Sequence, residues 1–551
     1  MKKYIAMLLA LVMVFALCAC GQTAAPAAPA APAAAPAAEA APAAEAEAPA
    51  AEAAPAAAEA DPKYGGTLKV AVNHDIVNLG VPQKNLTFQA AVVADTCLEH
   101  LCRFYPDGSL EPWLIESYEE DPDALTLSVT LKQGIKFHDG SDFNVDAVIY
   151  NWNLWGECGN MELNCVSEYE KVDDYNVVLH LTEWNNSIAT SALYTAGTMI
   201  SKEYCEANGQ DAADRNPCGT GPFKFVEWNP GENVKFEKNE NYWIEGLPYL
   251  DAVQFDVIMD DTTLTSAFLS NQVDVVYNIG SAVSMNLKAA GFESATKSLV
   301  SGASSTITWF SCQDEGPLGD VNVRRAIVSA IDMDAIWEAC SNQTGAIYDR
   351  TIQWGPNGVW SCNPETKGYP YDVEAAKAYL AQTEWPNGFD TTITYVNNSE
   401  SEMIATFYQD YLSKIGINAT IQLVDEAQSA EISGIEPSDW SGLFISAGRA
   451  EVDLGTYYNR TFLPDGVRWV NQVNHYDDIV ETLQAAMSAK TFDEKKEASQ
   501  KLSKMVIDDY CQMIPMWTNN AACFAQPNVM DHGLYQINMI IWTPEICYLA
   551  K

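Results

Sequence analysis

The stretch that most restricts the fold is residues 391–424, where one strand pattern is followed by a helix pattern and then by a second strand pattern. "TTITYVNN" (391–398) reads as a strand, and Ser399 with Glu402 forms a capping box for the helix that follows. That helix carries Ile404, Phe407, Tyr411 and Ile415 on one face and stops at Gly416. "INATIQLV" then alternates Ala419, Ile421 and Leu423, so the unit closes as a right-handed βαβ crossover. A second such unit runs from "AVQFDVIM" (252–259) through "DDTTLTSAFLS" to "VDVVYN" (273–278). Other segments alternate as antiparallel strands do. "FKFVEWNPGENVKFEKN" turns at Asn229-Pro230-Gly231, and "ALTLSVTLKQGIKFHDG" carries Leu125, Leu127, Val129 and Leu131 on one face. This mixture predicts an α/β protein with more than one lobe, threaded by a chain that crosses back and forth.

The beginning of the chain predicts export. Lys2 and Lys3 precede "YIAMLLALVMVFAL", too short for an ordinary membrane span, so residues 1–19 read as a signal peptide. The run ends in "LCACG", which resembles the lipobox of bacterial lipoproteins and implies that Cys20 becomes the lipidated first residue. Residues 20–62 then form an Ala/Pro/Glu spacer without an aromatic residue or the apolar bulk for a core. Largely extended, at about 3.1 Å per residue, it reaches on the order of 100 Å from the lipid surface. The expected location is therefore extracytoplasmic, anchored to the cell membrane by the N-terminal lipid.

A formal charge of −43 excludes a nucleic-acid partner and adhesion to anionic lipid, both of which need a basic face. The 15 Trp and 25 Tyr suit a binding cleft, although large cores use them as well. The 14 cysteines less Cys18 and Cys20 leave an even number, so disulfides are expected in an oxidising compartment. Cys158 with Cys165, Cys205 with Cys218, and Cys511 with Cys523 are the nearest pairs in sequence. "CLEHLC" (97–102) lies in an apolar run whose spacing suits one helix, and no second Cys/His pair stands at finger distance. No metal or other cofactor is expected. His74, His100, His138, His180, His475 and His532 form no cluster.

In open sheets, ligands sit beyond the carboxyl ends of parallel strands. Three predicted edges offer suitable groups: Tyr277 and Asn278 after "VDVV", Trp309 and Ser311 after "STITW", and Arg449, Glu451 and Asp453 in a loop after "GLFIS", which ends at Ser446. Trp354 and Trp440 are added as aromatic walls. His138 and Asp139 are adjacent in "KFHDG" and point to opposite faces, so they make no general-base pair; Asp139-Gly140 reads as a turn before a helix capped by Asn144.

Seven stretches in order, "YGGTLKVAV", "YPDGSLEPWLIESYE", "LKQGIKFHDGSDFNVDAVIYNW", "GTGPFKFVEWNPGENVKFEKNENYW", "VNVRRAIVSAIDMDAI", "YDVEAAKAYLA" and "YLSKIGINATIQL", resemble family 5 extracellular solute-binding proteins, the receptors of dipeptide, oligopeptide and nickel ABC importers. The resemblance implies a class II periplasmic-binding-protein-like fold, with two large lobes around a cleft and a smaller inserted lobe. The expected boundaries are lobe I at 63–103, 217–301 and 512–551, lobe II at 104–216, and lobe III at 302–511. Hinges are expected near Asn216 to Phe223, Leu299 to Thr306 and Cys511 to Trp517.

Peptide receptors of this family usually carry Trp, two residues and then an Asp, which pairs with the ligand's α-amino group, after the strand that begins here at Leu443. Ala450 stands at the Asp position in one register, with Arg449 before it; a shift of one to three residues brings Glu451 or Asp453 there. Arg449 either grips a carboxylate or phosphate of the solute or pairs with Glu451 or Asp453. The implied activity is capture of a peptide or peptide-like solute by a monomer, with delivery to permease subunits and their ATPases and no covalent chemistry. Alternatives within the family are a nickel or metal-chelate receptor and a receptor for carboxylates, opines or oligosaccharides. Outside it stand a sensor that presents its ligand to a signalling receptor and, remotely, a secreted glycoside hydrolase.

Overall fold

The computed structural model describes residues 63–551 except 77–78, 80–92, 106–107, 159, 280, 296–303, 314, 341–346, 349–359, 397–398, 435, 450–452, 519–521 and 535–541. The expectations for the signal peptide, Cys20, the spacer, Trp354 and Glu451 lie outside the described residues. Residues 60–551 form one compact unit.

Two six-stranded sheets dominate it. The first runs Phe223–Asn229, Asn233–Lys238, Ala252–Val257, Thr67–Val72, Val275–Ile279, Ala522–Ala525. The hairpin expected at Asn229-Pro230-Gly231 forms its outer edge, antiparallel from Phe223↔Lys238 to Asn229↔Asn233. Both strands of the expected 252–278 unit are present, but they do not pair with each other: Thr67–Val72 lies between them and runs parallel to both. The helix joining them, Asp261–Leu269, is capped by Asp260, whose carboxylate accepts the Thr263 N–H at 2.8 Å. Leu68, Val70, Val72, Val253 and Phe255 are buried on this sheet.

The second sheet runs Ile347–Tyr348, Met513–Thr518, Ser304–Phe310, Leu443–Arg449, Asp390–Val396, Asn418–Val424. Asp390–Val396 and Asn418–Val424 pair in parallel around the helix Ser399–Ser413, as the sequence predicts. The helix buries Ile404, Tyr408 and Leu412, with Ile415 beyond its end, and leaves Phe407 half-buried. Gly416, at φ +83°, makes the left-handed stop, backed against Gly388. Asn418–Val424 is an edge strand, so its alternation is only partly used: Leu423 is 53% exposed.

A four-stranded antiparallel sheet (Ile115–Asp121, Thr126–Leu131, Asn176–Leu181, Val166–Lys171) is inserted before Phe223. Leu127, Val129 and Leu131 are buried, while Leu125 turns the chain at φ +58°. The helix Val145–Glu157 covers the sheet and is capped by Asn144, as expected, through the Ala147 N–H.

Three expectations change. Residues 97–104 are not helical: a turn leads into the short strands Glu99–His100 and Cys102–Phe104. The cause is Glu99, a buried carboxylate that accepts from Trp113 Nε1 (2.9 Å), Thr220 Oγ1 (2.7 Å), Tyr242 OH (2.7 Å) and Trp243 Nε1 (3.0 Å). Four distant donors outweigh the local propensity. No disulfide joins the described cysteines; Cys511 packs in the core of the second sheet and Cys523 in that of the first, each as a small buried hydrophobe. Finally, the Leu443 strand continues past Ser446 to Arg449, because its last residues pair with Ser304, Ser305 and Thr306.

Candidate functional site

The connections between the large sheets define which edges face each other. Met513–Thr518 passes to Ala522–Ala525 in four residue steps, at most about 14 Å at roughly 3.5 Å per residue. Thr518 pairs with Ser305, and Ser304 with Arg449, so the end of the second sheet that carries Arg449 adjoins the first sheet. On the first sheet, Ala522 pairs with Ile279, the last residue of the parallel strand Val275–Ile279. The carboxyl edge of the first sheet therefore meets the Arg449 end of the second. Ala295 reinforces this junction by donating its N–H to Cys523 O at 2.7 Å.

Tyr277, Asn278 and Arg449 all belong to these adjoining edges. Tyr277 itself is wholly buried beneath the edge, in the core with Val70, Val72 and Cys523. Trp309, Ser311 and Trp440 do not join them. Ser304–Phe310 runs antiparallel to Leu443–Arg449, so Trp309 pairs with Phe444 and Phe310 with Leu443. This is the opposite end of the sheet from Arg449, roughly 20 Å away at about 3.3 Å per residue. The expected convergence assumed that both strands point the same way, and the pairing corrects it. Trp309 is wholly buried, with its ring stacked on Trp469 at 5.5 Å. Ser311 Oγ accepts the Gly442 N–H at 3.0 Å, and Trp440 Nε1 donates to Thr394 Oγ1 at 2.9 Å. All three build the far end of the sheet.

Asp453 has a different task. It caps the helix Leu454–Phe462 through the Gly455 N–H (3.0 Å), pairs with Lys495 Nζ at 2.5 Å and accepts from Ser187 Oγ at 3.2 Å. Ser187 lies just past the four-stranded sheet, and its neighbours dock on the same helical layer. Trp184 Nε1 donates to Ala489 O (3.0 Å) and the Asn186 N–H to Met487 O (2.9 Å). Asp453 is thus part of a clasp between the small sheet and the helices that flank the second one. Lys495→Met removes the ammonium from a largely buried carboxylate, and the urea midpoint is expected to fall by the equivalent of about 1–2 kcal/mol. An unchanged midpoint would mean that water and the cap suffice.

One acidic residue at the Arg449 end escaped the sequence reading. Glu400, in the first turn of Ser399–Ser413, is half-buried and accepts from Trp517 Nε1 at 3.0 Å. The signal was present, since Glu400 stands two residues past a predicted strand end. The capping pattern drew attention to Glu402 instead. Among the described residues no group of three His, Cys, Asp or Glu is arranged to hold a metal, and no helix is long and apolar enough to cross a membrane.

The family model described as bacterial extracellular solute-binding proteins, family 5, middle part, matches residues 109–462. The chain belongs to this family. As a family 5 solute-binding protein it works outside the cytoplasm, in a family of receptors and not of enzymes. It is 28% identical to the glutathione-binding protein GsiB of Pectobacterium atrosepticum over 62% of this chain and 66% of that one. Against the oligopeptide-binding protein AppA of Bacillus subtilis it is 24% identical, over 80% of this chain and 83% of the relative. The fold matches the periplasmic binding protein DppA of Helicobacter pylori, solved with the peptide STSA, at a TM-score of 0.70 and 21% identity, over 89% of this chain and 99% of that one. The expected class II architecture is therefore the one observed.

Proposed function

We propose that this family 5 protein captures a peptide or peptide-like small solute between its two large sheets and hands it to an ABC permease driven by separate ATPases. The observation that carries the reading is the junction itself: the carboxyl edge of Val275–Ile279 and the Arg449 end of Leu443–Arg449 adjoin, and only four residue steps separate Thr518 from Ala522. The relatives' names, glutathione-binding and oligopeptide-binding, point to the same solute class. In this reading the first sheet is lobe I, the four-stranded sheet lobe II and the second large sheet lobe III, and the protein acts as a monomer held at the membrane by lipid on Cys20.

Binding makes and breaks no covalent bond. Micromolar capture needs only about 8 kcal/mol, which a closed cleft with a few charge-assisted hydrogen bonds supplies. Arg449 is the proposed contact for a solute carboxylate, a group that a guanidinium grips in bidentate geometry. Calorimetry of the mature protein against glutathione and short peptides tests the reading. A micromolar binder is expected, and Arg449→Ala should weaken it at least tenfold while leaving the melting temperature of the unliganded protein unchanged. Absence of binding to any member would sink the peptide assignment, and an unaltered affinity in the variant would remove Arg449 from the site.

A further inference from the structure

The small sheet meets the helical layer of the second large sheet along a seam of polar contacts, most of them made by the loop 184–187. Beside the bonds from Trp184 Nε1 to Ala489 O and from the Asn186 N–H to Met487 O, Asn186 Nδ2 donates to Ala486 O at 2.5 Å and to Ala489 O at 3.2 Å. These carbonyls belong to the last turn of the helix Asp477–Ser488 and to its C-cap, where no basic side chain stands. The loop thus caps a helix from a distant part of the chain. Lys495 Nζ adds a bond to Asn186 O at 3.3 Å, and two ion pairs extend the seam, Glu162 with Arg460 at 2.5 Å and Asp123 with Lys490. What the seam lacks is a shared apolar core. Among the described residues the buried cluster around Leu127, Val129 and Trp152 in the small sheet and that around Leu454, Tyr458 and Leu483 in the helical layer have no member in common. The other joints are stronger. The helical layer shares its cluster with Ile307, Trp309 and Phe444 of the second sheet. The small sheet is tied to the first by the hydrogen bonds buried around Glu99 and by Arg103, paired with Glu545 at 2.8 Å. The crossing from Thr518 to Ala522 completes a ring of contacts through all four parts. With its other links intact, the second sheet moves off the first only by parting the seam, whose carbonyls, amides and charges exchange their protein partners for water without exposing an apolar core.

We propose that the seam around residues 184–187 is a releasable latch: it holds the two large sheets together over the solute, and Trp184 and Asn186 set how tightly the solute is kept by positioning those sheets, not by touching it. The inference rests on the reading that the solute lies between the two sheets. Asp453, which accepts from Ser187 and lies four residues past Arg449, carries the seam to the end of the second sheet where the solute is proposed to bind. Solute contacts and latch contacts then favour the same arrangement, so losing the latch weakens binding from a distance.

The test compares X-ray scattering of the mature full chain, free of solute, with that of a loop variant, Trp184→Phe with Asn186→Ala, which loses the capping donors. The variant is expected to show a larger radius of gyration than the wild type well below its melting temperature, whereas a merely weakened fold would melt earlier at an unchanged radius. Should circular dichroism show that the loop variant does not fold, Arg460→Gln with Lys490→Gln decides in its place, since both residues are exposed and lie outside any core. Superimposable scattering from wild type and the deciding variant would overturn the latch. In parallel, native mass spectrometry with a tripeptide library reads retention of solute, which is expected to fall about fivefold in the variant. Retention equal to that of the wild type would overturn the latch and leave peptide capture intact. A wild type that retains no tripeptide would overturn peptide capture, and the scattering comparison would still decide the latch.

Discussion

Arg324→Met is expected to cost about 4 kcal/mol of folding stability, read as a large fall in the urea midpoint. Arg324 is wholly buried in the helix Val321–Ala330, yet among the described residues its hydrogen-bond partners include no carboxylate. Its guanidinium instead donates to four backbone carbonyls: Leu318 (2.7 Å) and Gly319 (2.9 Å) through Nη1, Tyr510 (2.7 Å) through Nη2 and Cys511 (3.0 Å) through Nε. Leu318 and Gly319 lie in the short 3-10 turn before the helix and Tyr510 and Cys511 in the connection ahead of Met513–Thr518, and among the described residues no backbone N–H reaches these four carbonyls. The side chain works as a fixed set of donors that pins the entry of Met513–Thr518 to the turn before Val321. An orphaned buried acceptor costs about 1–3 kcal/mol. Four of them, partly relieved by water entering the space that Met leaves, give the expected total. Arg324→Lys should recover only part, because an ammonium cannot reproduce the planar fork. A loss below about 1 kcal/mol for the Met variant would show that the carbonyls find other donors at no cost, and that the arginine is tolerated, not required.

Arg324 also marks what the sequence reveals and what it withholds. "VNVRRAIVSAIDMDAI" identifies a helix at this point, but nothing in its periodicity says that one of its two arginines faces inward. The patterns that proved legible are local ones: the hairpin around Asn229-Pro230-Gly231, the alternation of Leu127, Val129 and Leu131, the Asn144 cap, and the helix between Asp390–Val396 and Asn418–Val424. Each is specified by residues within a dozen positions of one another. Strand direction is not. The alternation in "STITWF" is the same read either way, so the antiparallel pairing with Leu443–Arg449, which carries Trp309 and Ser311 away from Arg449, has no local signature. The "CLEHLC" segment fails for a related reason. Its apolar residues suit a buried helix or buried strands equally, and the decision is made by Trp113, Thr220, Tyr242 and Trp243, gathered around Glu99 from elsewhere in the chain. Glu400 and Glu402 share one helical turn, and only the packing of Trp517 distinguishes them.

Acidification supplies the second large effect, through His138. Its Nε2 lies 2.9 Å from Gly221 O, which requires the hydrogen on that nitrogen, while Nδ1 is buried and has no partner among the described residues. Its backbone N–H is held by Gly219 O at 2.8 Å, just ahead of the first strand of the large sheet. Burial lowers the imidazole pKa from 6.5 to about 4, despite the bond to Gly221; Lys224 adds to the depression and Asp139 opposes it. The unfolded chain therefore takes up a proton near pH 6.5 that the folded protein refuses until about pH 4. Between those values the unfolded state binds more protons, so stability is lost as the pH falls through this window and is regained as it rises. The whole displacement is worth about 3 kcal/mol, and because part of the ring still meets solvent the expected loss between pH 7 and 4.5 is about 2 kcal/mol. Asp95 and Glu99, whose pKa values burial raises, act in the opposite sense. A comparison with His138→Gln cancels them. Gln donates to Gly221 O and does not titrate, so the urea midpoint of the wild type should fall more steeply with acid than that of the variant, by the equivalent of about 2 kcal/mol at pH 4.5. Parallel pH curves for the two proteins would mean that the loop around Gly219 and Gly221 opens far enough to admit water to the charged ring, and that the junction between the small sheet and the first large one is looser than its hydrogen bonds indicate.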